Sequence, residues 1–121
     1  MSKLSENYYA SYEHLMHILQ MAEERDVFVV GIIFPQSPAF KETGSFGRYG
    51  IRRSEAPALI KELQNLEEKY PHFHFWDENK MGDHDYTDEM AFNEDHLSYL
   101  GAIQLTTRLD SVLKSLTVKA E

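Results

Sequence analysis

The stretch Val-Phe-Val-Val-Gly-Ile-Ile-Phe, residues 27–34, decides the fold. Eight consecutive apolar residues, most of them β-branched, are typical of a strand that is covered on both faces, as the strands of a parallel sheet are. The run is far shorter than the roughly 20 apolar residues that a transmembrane helix needs. The sequence therefore predicts a central parallel strand here and no transmembrane segment.

An amphipathic helix is predicted before this strand, over residues 8–22. Its apolar side chains recur every three or four residues, which places them on one helical face: Tyr8, Tyr12, Leu15, Met16, Leu19 and Ala22. After the strand, Pro35 and Pro38 end the extended run, and three glycines mark a long irregular stretch up to Arg53. Long ordered loops usually carry function.

A second helix is predicted over residues 54–69. Ser54 stands where an N-cap is expected, Pro57 falls in the first turn, and a buried stripe follows, made of Leu59, Ile60, Leu63 and Leu66. The aromatic segment 72–76 then reads as a short strand. The β-helix-β order predicts a right-handed parallel crossover between the two strands.

A polar loop over 77–95 precedes the last helix, which Ser98 is expected to cap. The apolar positions of that helix include Ile103, Leu109, Val112, Leu113 and Leu116. The predicted order α-β-α-β-α gives a small parallel sheet flanked by helices. Two strands are few for this class. We therefore expect a single α/β domain over residues 1–121 that is a piece of a larger protein, cut before residue 1. The missing N-terminal part of the parent protein would be the partner of this chain. Without that part, we expect the chain to form a homodimer.

The net charge of -8 disfavours non-specific binding to nucleic acid or to anionic lipid, since both rely on excess Lys and Arg. The chain has no cysteine, which excludes disulfides and thiolate nucleophiles, and no export signal is expected in the chain as given. Charge is uneven, because 77–95 holds eight acids and one lysine, whereas 41–53 is basic. The arginines of segment 41–53, Arg48, Arg52 and Arg53, either form an anion site or pair with the acids of segment 77–95. We favour the pairing.

Residues 93–102 and the helix after them resemble the last conserved block of the SGNH/GDSL-type esterases and acyltransferases. In that family the block supplies a catalytic histidine, an aspartate three residues earlier orients it, and it activates the serine of a Gly-Asp-Ser turn. The resemblance implies a three-layer, flavodoxin-like fold with His96 as the general base and Asn93 at the acid position. An amide does not stabilise an imidazolium as a carboxylate does, so Asp95, Asp88 or Asp85 would have to substitute.

The chain contains no Gly-Asp-Ser and none of the oxyanion-hole blocks of that family. We therefore expect it to be inactive alone, as the C-terminal segment of an esterase or acyl hydrolase acting on carbohydrate esters. Ser37 is a possible local nucleophile, although its flanking prolines favour a turn. The alternative function is a non-catalytic binding or accessory module.

Residues 33–38, 44–50 and 83–88 together resemble the C-terminal region of the Fibrobacter succinogenes paralogous family of large, often lipoprotein-like, uncharacterised proteins. This second resemblance covers nearly the whole chain. It implies an exported or cell-envelope parent protein.

Two groups of residues suggest metal ligands, although no cofactor is required. An EF-hand-like calcium loop would use Asp77, Asn79, Asp83, Asp85 and Asp88 around Gly82, but Met81 stands where an oxygen ligand is wanted. We therefore favour a solvated acidic loop over a calcium site. His72 and His74 share one face of the second strand, where they either bind zinc or face water. His14 and His17 on the first helix are weaker zinc candidates.

Overall fold

The computed structural model describes residues 6–42 and 51–120, with side chains for 11–40 and 51–117. These residues form three helices, α1 (Glu6–Glu24), α2 (Ala56–Lys69) and α3 (Tyr99–Ala120), and two strands, β1 (Val29–Ile33) and β2 (Phe73–Asp77). Short 3-10 turns lie at Pro38–Glu42, Lys80–Gly82 and Asp88–Met90. The strands pair in parallel. The α/β class and the order α-β-α-β-α are confirmed, and none of the described helices is long and apolar enough to cross a membrane.

The described residues divide into two compact units. The first holds residues 6–34 and 51–78, and therefore α1, β1, α2 and β2. The second holds residues 35–42 and 79–120, and therefore the three 3-10 turns and α3.

The core of the first unit lies where α1, α2 and β2 meet. Leu19, Leu66 and Phe73 are buried there. Half-buried side chains surround them, namely Tyr12, Leu15, Met16, Val29, Leu63, Tyr70 and Phe75. Most of these belong to the apolar stripes that the periodicity predicts for the first two helices. Where side chains are described, those stripes are confirmed as the faces that pack into the core, and Tyr8 lies outside the residues with described side chains.

Among the described residues, β1 is one of two paired strands and not the central strand that its composition predicts. In the part of the chain that the structure describes, the sheet has only two strands, and every residue of β1 is half-buried. The reason is that an apolar, β-branched run indicates a strand that can be buried. It does not indicate how many strands pair with it. The hand of the crossover and the larger parent protein stay predictions.

The start of α2 differs from its prediction by one residue. Glu55, and not Ser54, occupies the N-cap position, and no side chain caps the helix. A turn leads into the helix instead, in which the N–H groups of Glu55 and Ala56 donate to the carbonyls of Arg52 and Arg53. Because these backbone bonds satisfy amides that a cap would otherwise serve, Ser54 is not needed there.

The start of α3 follows the prediction. Ser98 is its N-cap, because the N–H of Gly101 donates to Ser98 Oγ at 3.4 Å. Leu116 is buried and Leu109 and Val112 are half-buried, so they define the inner face of the helix, whereas Ile103 and Leu113 are exposed.

Candidate catalytic histidine loop

His96 lies on a tight loop directly before α3. Ala91 and Leu97 form an antiparallel bridge, and the N–H of Phe92 donates to the carbonyl of His96 at 2.8 Å. At the base of the loop, Ser98 donates its N–H to the carbonyl of Met90 at 2.8 Å. Its hydroxyl donates to the carbonyl of Glu89 at 2.7 Å. These hydrogen bonds close the loop, and α3 begins directly after it.

The side chain of Asn93 organises this loop. Its Oδ1 accepts the backbone N–H groups of Asp95 and His96, both at 3.0 Å. The same oxygen lies 2.8 Å from Nδ1 of the His96 ring. The structure thus brings together Asn93 and His96, the two positions that the family resemblance pairs.

These contacts fix the tautomer of the neutral His96 ring. A backbone N–H can only donate, so the atom of Asn93 that faces the loop is its carbonyl oxygen, an acceptor. Nδ1 of His96 must then carry the hydrogen. The lone pair is left on Nε2, and the residue is exposed to solvent. A neutral histidine in this tautomer has the form that a general base needs.

The three aspartates considered as substitutes for the missing acid are not in contact with this ring. Asp85 is bound by Arg108 in a two-pronged ion pair, with Nη1–Oδ1 at 2.9 Å and Nη2–Oδ2 at 2.5 Å. Asp88 begins a 3-10 turn, and the Asp95 backbone bonds to Asn93. Within the described residues, no carboxylate lies within hydrogen-bonding distance of the His96 imidazole. Among the described residues, Asn93 is the one that hydrogen-bonds the ring.

Arg108 contacts Asp85 and Tyr86, and the sequence did not predict this role. Hydrogen bonds from its guanidinium lower the pKa of Asp85, and the guanidinium also lies 5.5 Å from the ring centre of the buried Tyr86. Together these contacts hold the 85–86 segment on α3. The sequence offers one signal, since the charged Arg108 directly precedes Leu109 of the predicted apolar face.

Ser37 lies beside the His96 loop, because its N–H donates to the carbonyl of Glu94 at 3.1 Å. Its hydroxyl oxygen accepts the N–H of Ala39 at 3.4 Å, which is a local serine turn. Among the described residues no hydrogen bond joins Ser37 to His96. The geometry agrees with the turn interpretation of Ser37.

Two residues of the proposed calcium loop have other partners, Asp85, which pairs with Arg108, and Asn79. Asn79 is buried, its Oδ1 accepts the N–H of Gly82 at 3.0 Å, and its Nδ2 donates to Gln36. The backbone of Lys80, Met81 and Gly82 is left-handed, with φ of 52°, 57° and 89°. Over residues 6–42 and 51–120 no three histidine or acidic side chains converge as metal ligands.

Neither predicted zinc histidine faces water alone. Nδ1 of His72 lies 2.8 Å from the Glu23 carboxylate, and its Nε2 lies 2.6 Å from the carboxylate of Asp26. The contacts with these two carboxylates raise the pKa of His72. His74 lies 3.7 Å from the carboxylate of Glu67. Both histidines therefore contact acids of α1, of the turn after it or of α2, which period-two spacing along one strand does not reveal.

The remaining candidates are arginines and histidines of other segments. Arg48 lies outside the described residues, and Arg52 is exposed in the first unit. His14 and His17 are exposed on α1. Comparisons of the chain with protein-family models, with curated proteins and with solved structures give no match.

Proposed function

We propose that this chain supplies the histidine general base of a hydrolase that acts on carboxylic esters of carbohydrates or on related acyl groups. His96 is that base, and Asn93 is the residue that positions it. The contact between Asn93 Oδ1 and His96 Nδ1 at 2.8 Å carries the proposal. It leaves the lone pair of an exposed imidazole on Nε2, where a serine hydroxyl can be deprotonated.

The chemistry follows from the roles of the two residues. His96 Nε2 takes the proton of a serine hydroxyl as the oxygen attacks the ester carbonyl, and later returns it to the leaving alcohol. Asn93 keeps the ring in the required tautomer throughout. A neutral amide stabilises the imidazolium less than a carboxylate does, so we expect a slower reaction than an aspartate at position 93 would give.

The serine and the oxyanion hole belong to a segment outside this chain in this proposal. The sequence has no Gly-Asp-Ser, and Ser37 Oγ is engaged by Ala39. Without a nucleophile and without donors for the developing oxyanion, His96 alone gives no useful acceleration. The isolated chain should therefore hydrolyse simple acetyl and butyryl esters no faster than buffer.

A tautomer measurement tests the geometry in the chain itself. At a pH above the histidine pKa values, two-bond proton–nitrogen spectra should show the hydrogen of His96 on Nδ1. His84 is a matched control with the opposite arrangement, because its Nδ1 accepts the N–H of Tyr86 at 3.1 Å and its hydrogen must sit on Nε2. Asn93→Ala should erase the preference of His96 and leave His84 unchanged. A His96 ring with its hydrogen on Nε2 would contradict the proposal.

Activity is tested in a longer polypeptide that joins this chain to a segment bearing a Gly-Asp-Ser turn. Hydrolysis of an aryl acetate should be lost in His96→Ala, reduced in Asn93→Ala and retained in His84→Ala. Asn93→Asp should be at least as active as the parent polypeptide. Hydrolysis that survives His96→Ala would refute the proposal, as would a polypeptide with no hydrolysis at all.

A non-catalytic binding module is the second candidate function. Two aromatic side chains close to His96 in sequence are unusually exposed, Phe92 at 78% and Tyr99 at 81% of their surface. Exposed aromatic residues often mark binding surfaces. The two functions separate in the longer polypeptide, because a binding module would keep its properties in His96→Ala and show no ester hydrolysis.

A further inference from the structure

His72, directly before β2, lies between two carboxylates from the end of α1 and the turn after it. Its Nδ1 lies 2.8 Å from Glu23 Oε2, and its Nε2 lies 2.6 Å from Asp26 Oδ1. A neutral imidazole carries one hydrogen, whereas an imidazolium carries two and can donate from both nitrogens. Both contacts are therefore favourable together only while the ring is protonated.

The surroundings of the ring leave its charge to these two acids. Among the described residues, Glu23 and Asp26 are the charged groups that contact it. On the side of β1 the uncharged Phe28 packs against it, with ring centres 4.9 Å apart. On the side of α2, Glu67 lies 3.7 Å from His74 of β2. The positive charge between the two acids is therefore the proton of the His72 ring.

The two acids are held differently. Glu23 Oε2 also accepts the backbone N–H of His72 at 3.2 Å, and Nδ1 of the ring is buried beside it without an aligned hydrogen bond. Asp26 exposes 91% of its side chain, so water can replace the ring as its partner. Leaving a buried nitrogen unsatisfied costs more than giving up an exposed contact. The one hydrogen of the neutral ring should therefore stay on Nδ1 toward Glu23, so that the lone pair of Nε2 repels Asp26.

Asp26 also shapes the turn that ends α1. It is the left-handed residue of that turn, with φ of 56°, a conformation that favours glycine. Its N–H donates to the carbonyl of Glu23 at 3.4 Å, and the N–H of Val27 donates to the carbonyl of Ala22 at 2.9 Å. This is the hydrogen-bond pattern of a Schellman motif. The contact with His72 therefore stabilises a turn whose backbone is unfavourable for aspartate.

We infer that the His72 cluster, made of His72, Glu23 and Asp26, is a pH-sensitive switch at the end of α1. The protonated ring binds both acids and keeps the turn between α1 and β1 closed. When the ring loses its proton, Asp26 releases it, Glu23 retains it, and the turn loosens. The two acids raise the pKa of His72, so the turn loosens at a higher pH than that at which an isolated histidine titrates.

NMR measurements test the switch in the unmodified chain. Above the pKa of His72, two-bond proton–nitrogen spectra should show the hydrogen of its ring on Nδ1. Over the same pH range, the hydrogen-exchange protection of the Asp26 and Val27 amides should fall several-fold relative to that of the Tyr70 amide. The Tyr70 amide is the matched control, because it closes the end of α2 by donating to the carbonyl of Leu66 at 2.9 Å.

Two substitutions separate the switch from a general effect of charge. Asp26→Asn should keep the protection of the Val27 amide at its low-pH level, because an amide can accept from a protonated Nε2 and donate to an unprotonated one. Glu24→Gln is the matched control, since it removes one negative charge from an exposed side chain next to Glu23. It should leave the pH dependence in place.

Three results in the unmodified chain would overturn the inference. The first is a neutral His72 ring with its hydrogen on Nε2, which would keep Asp26 bound. The second is unchanged protection of the Asp26 and Val27 amides as His72 titrates. The third is a loss of equal size at Tyr70, which would show general unfolding and not the opening of one turn. These results decide the question even if a variant fails to fold.

Discussion

Replacing Gly101 by alanine tests how tightly α3 is seated on the turn that precedes the His96 loop. A Cβ at this position would overlap the carbonyl oxygen of Met90 and lie 3.1 Å from Cδ2 and 3.2 Å from Cβ of Leu97. The Met90 carbonyl cannot easily retreat, because it accepts the N–H of Ser98. The helix start would have to move outward by about 1 Å to restore ordinary contact distances.

Two opposing effects set the size of the change. Alanine is a better helix former than glycine by about 1 kcal/mol, which favours the variant. Overpacking against a fixed backbone atom costs about 1–3 kcal/mol, and weakening the Ser98–Met90 hydrogen bond costs about 1 kcal/mol more. The net expectation is a loss of about 1–3 kcal/mol in the free energy of unfolding. In a domain of this size, that is a fall of several degrees in Tm.

Urea and thermal unfolding followed by circular dichroism measure this loss. Ala102→Gly is the matched control, because Ala102 is exposed on the same turn of α3. It should lose at most about 1 kcal/mol, through helix propensity alone. If Gly101→Ala is as stable as the unmodified chain or more stable, the close contact between α3 and Met90 is not real.

Four further predictions address other contacts. The contacts that raise the pKa of His72 stabilise the folded chain while the ring is protonated. The free energy of unfolding should therefore fall as pH rises through the pKa of His72 in the folded state. His72→Gln should abolish that fall in urea titrations. Met81→Gly should raise the urea midpoint, because the left-handed backbone conformation of Met81 costs about 1 kcal/mol for a residue other than glycine. Arg108→Gln should return the Asp85 pKa toward its ordinary value, which NMR titration measures. It should lower the free energy of unfolding by at most about 1 kcal/mol. In the unmodified chain this contribution should disappear as pH falls through the pKa of Asp85 in the folded state. Melting curves with excess calcium and with chelator should superimpose, and a calcium-dependent rise that Asp77→Ala removes would instead establish the metal site.

The elements of this protein were readable from its sequence because they depend on local pattern. The stripe through Leu15 and Leu19 predicts α1, the apolar run predicts β1, and Ser98 predicts the start of α3. Each signal comes from residues close together in the chain, where periodicity and capping chemistry act directly. The pairing of Asn93 with His96 was also within reach, since only three residues separate them.

Tertiary structure alone decided how distant residues pair. His72 contacts Glu23 of α1 and Asp26 of the turn after it, and Asp85 contacts Arg108 across more than 20 residues. The number of strands beside β1 likewise depends on which segment lies next to the strand. Periodicity specifies which face of an element is apolar. It carries no information on which partner meets that face, because the partner is set by packing between segments far apart in sequence.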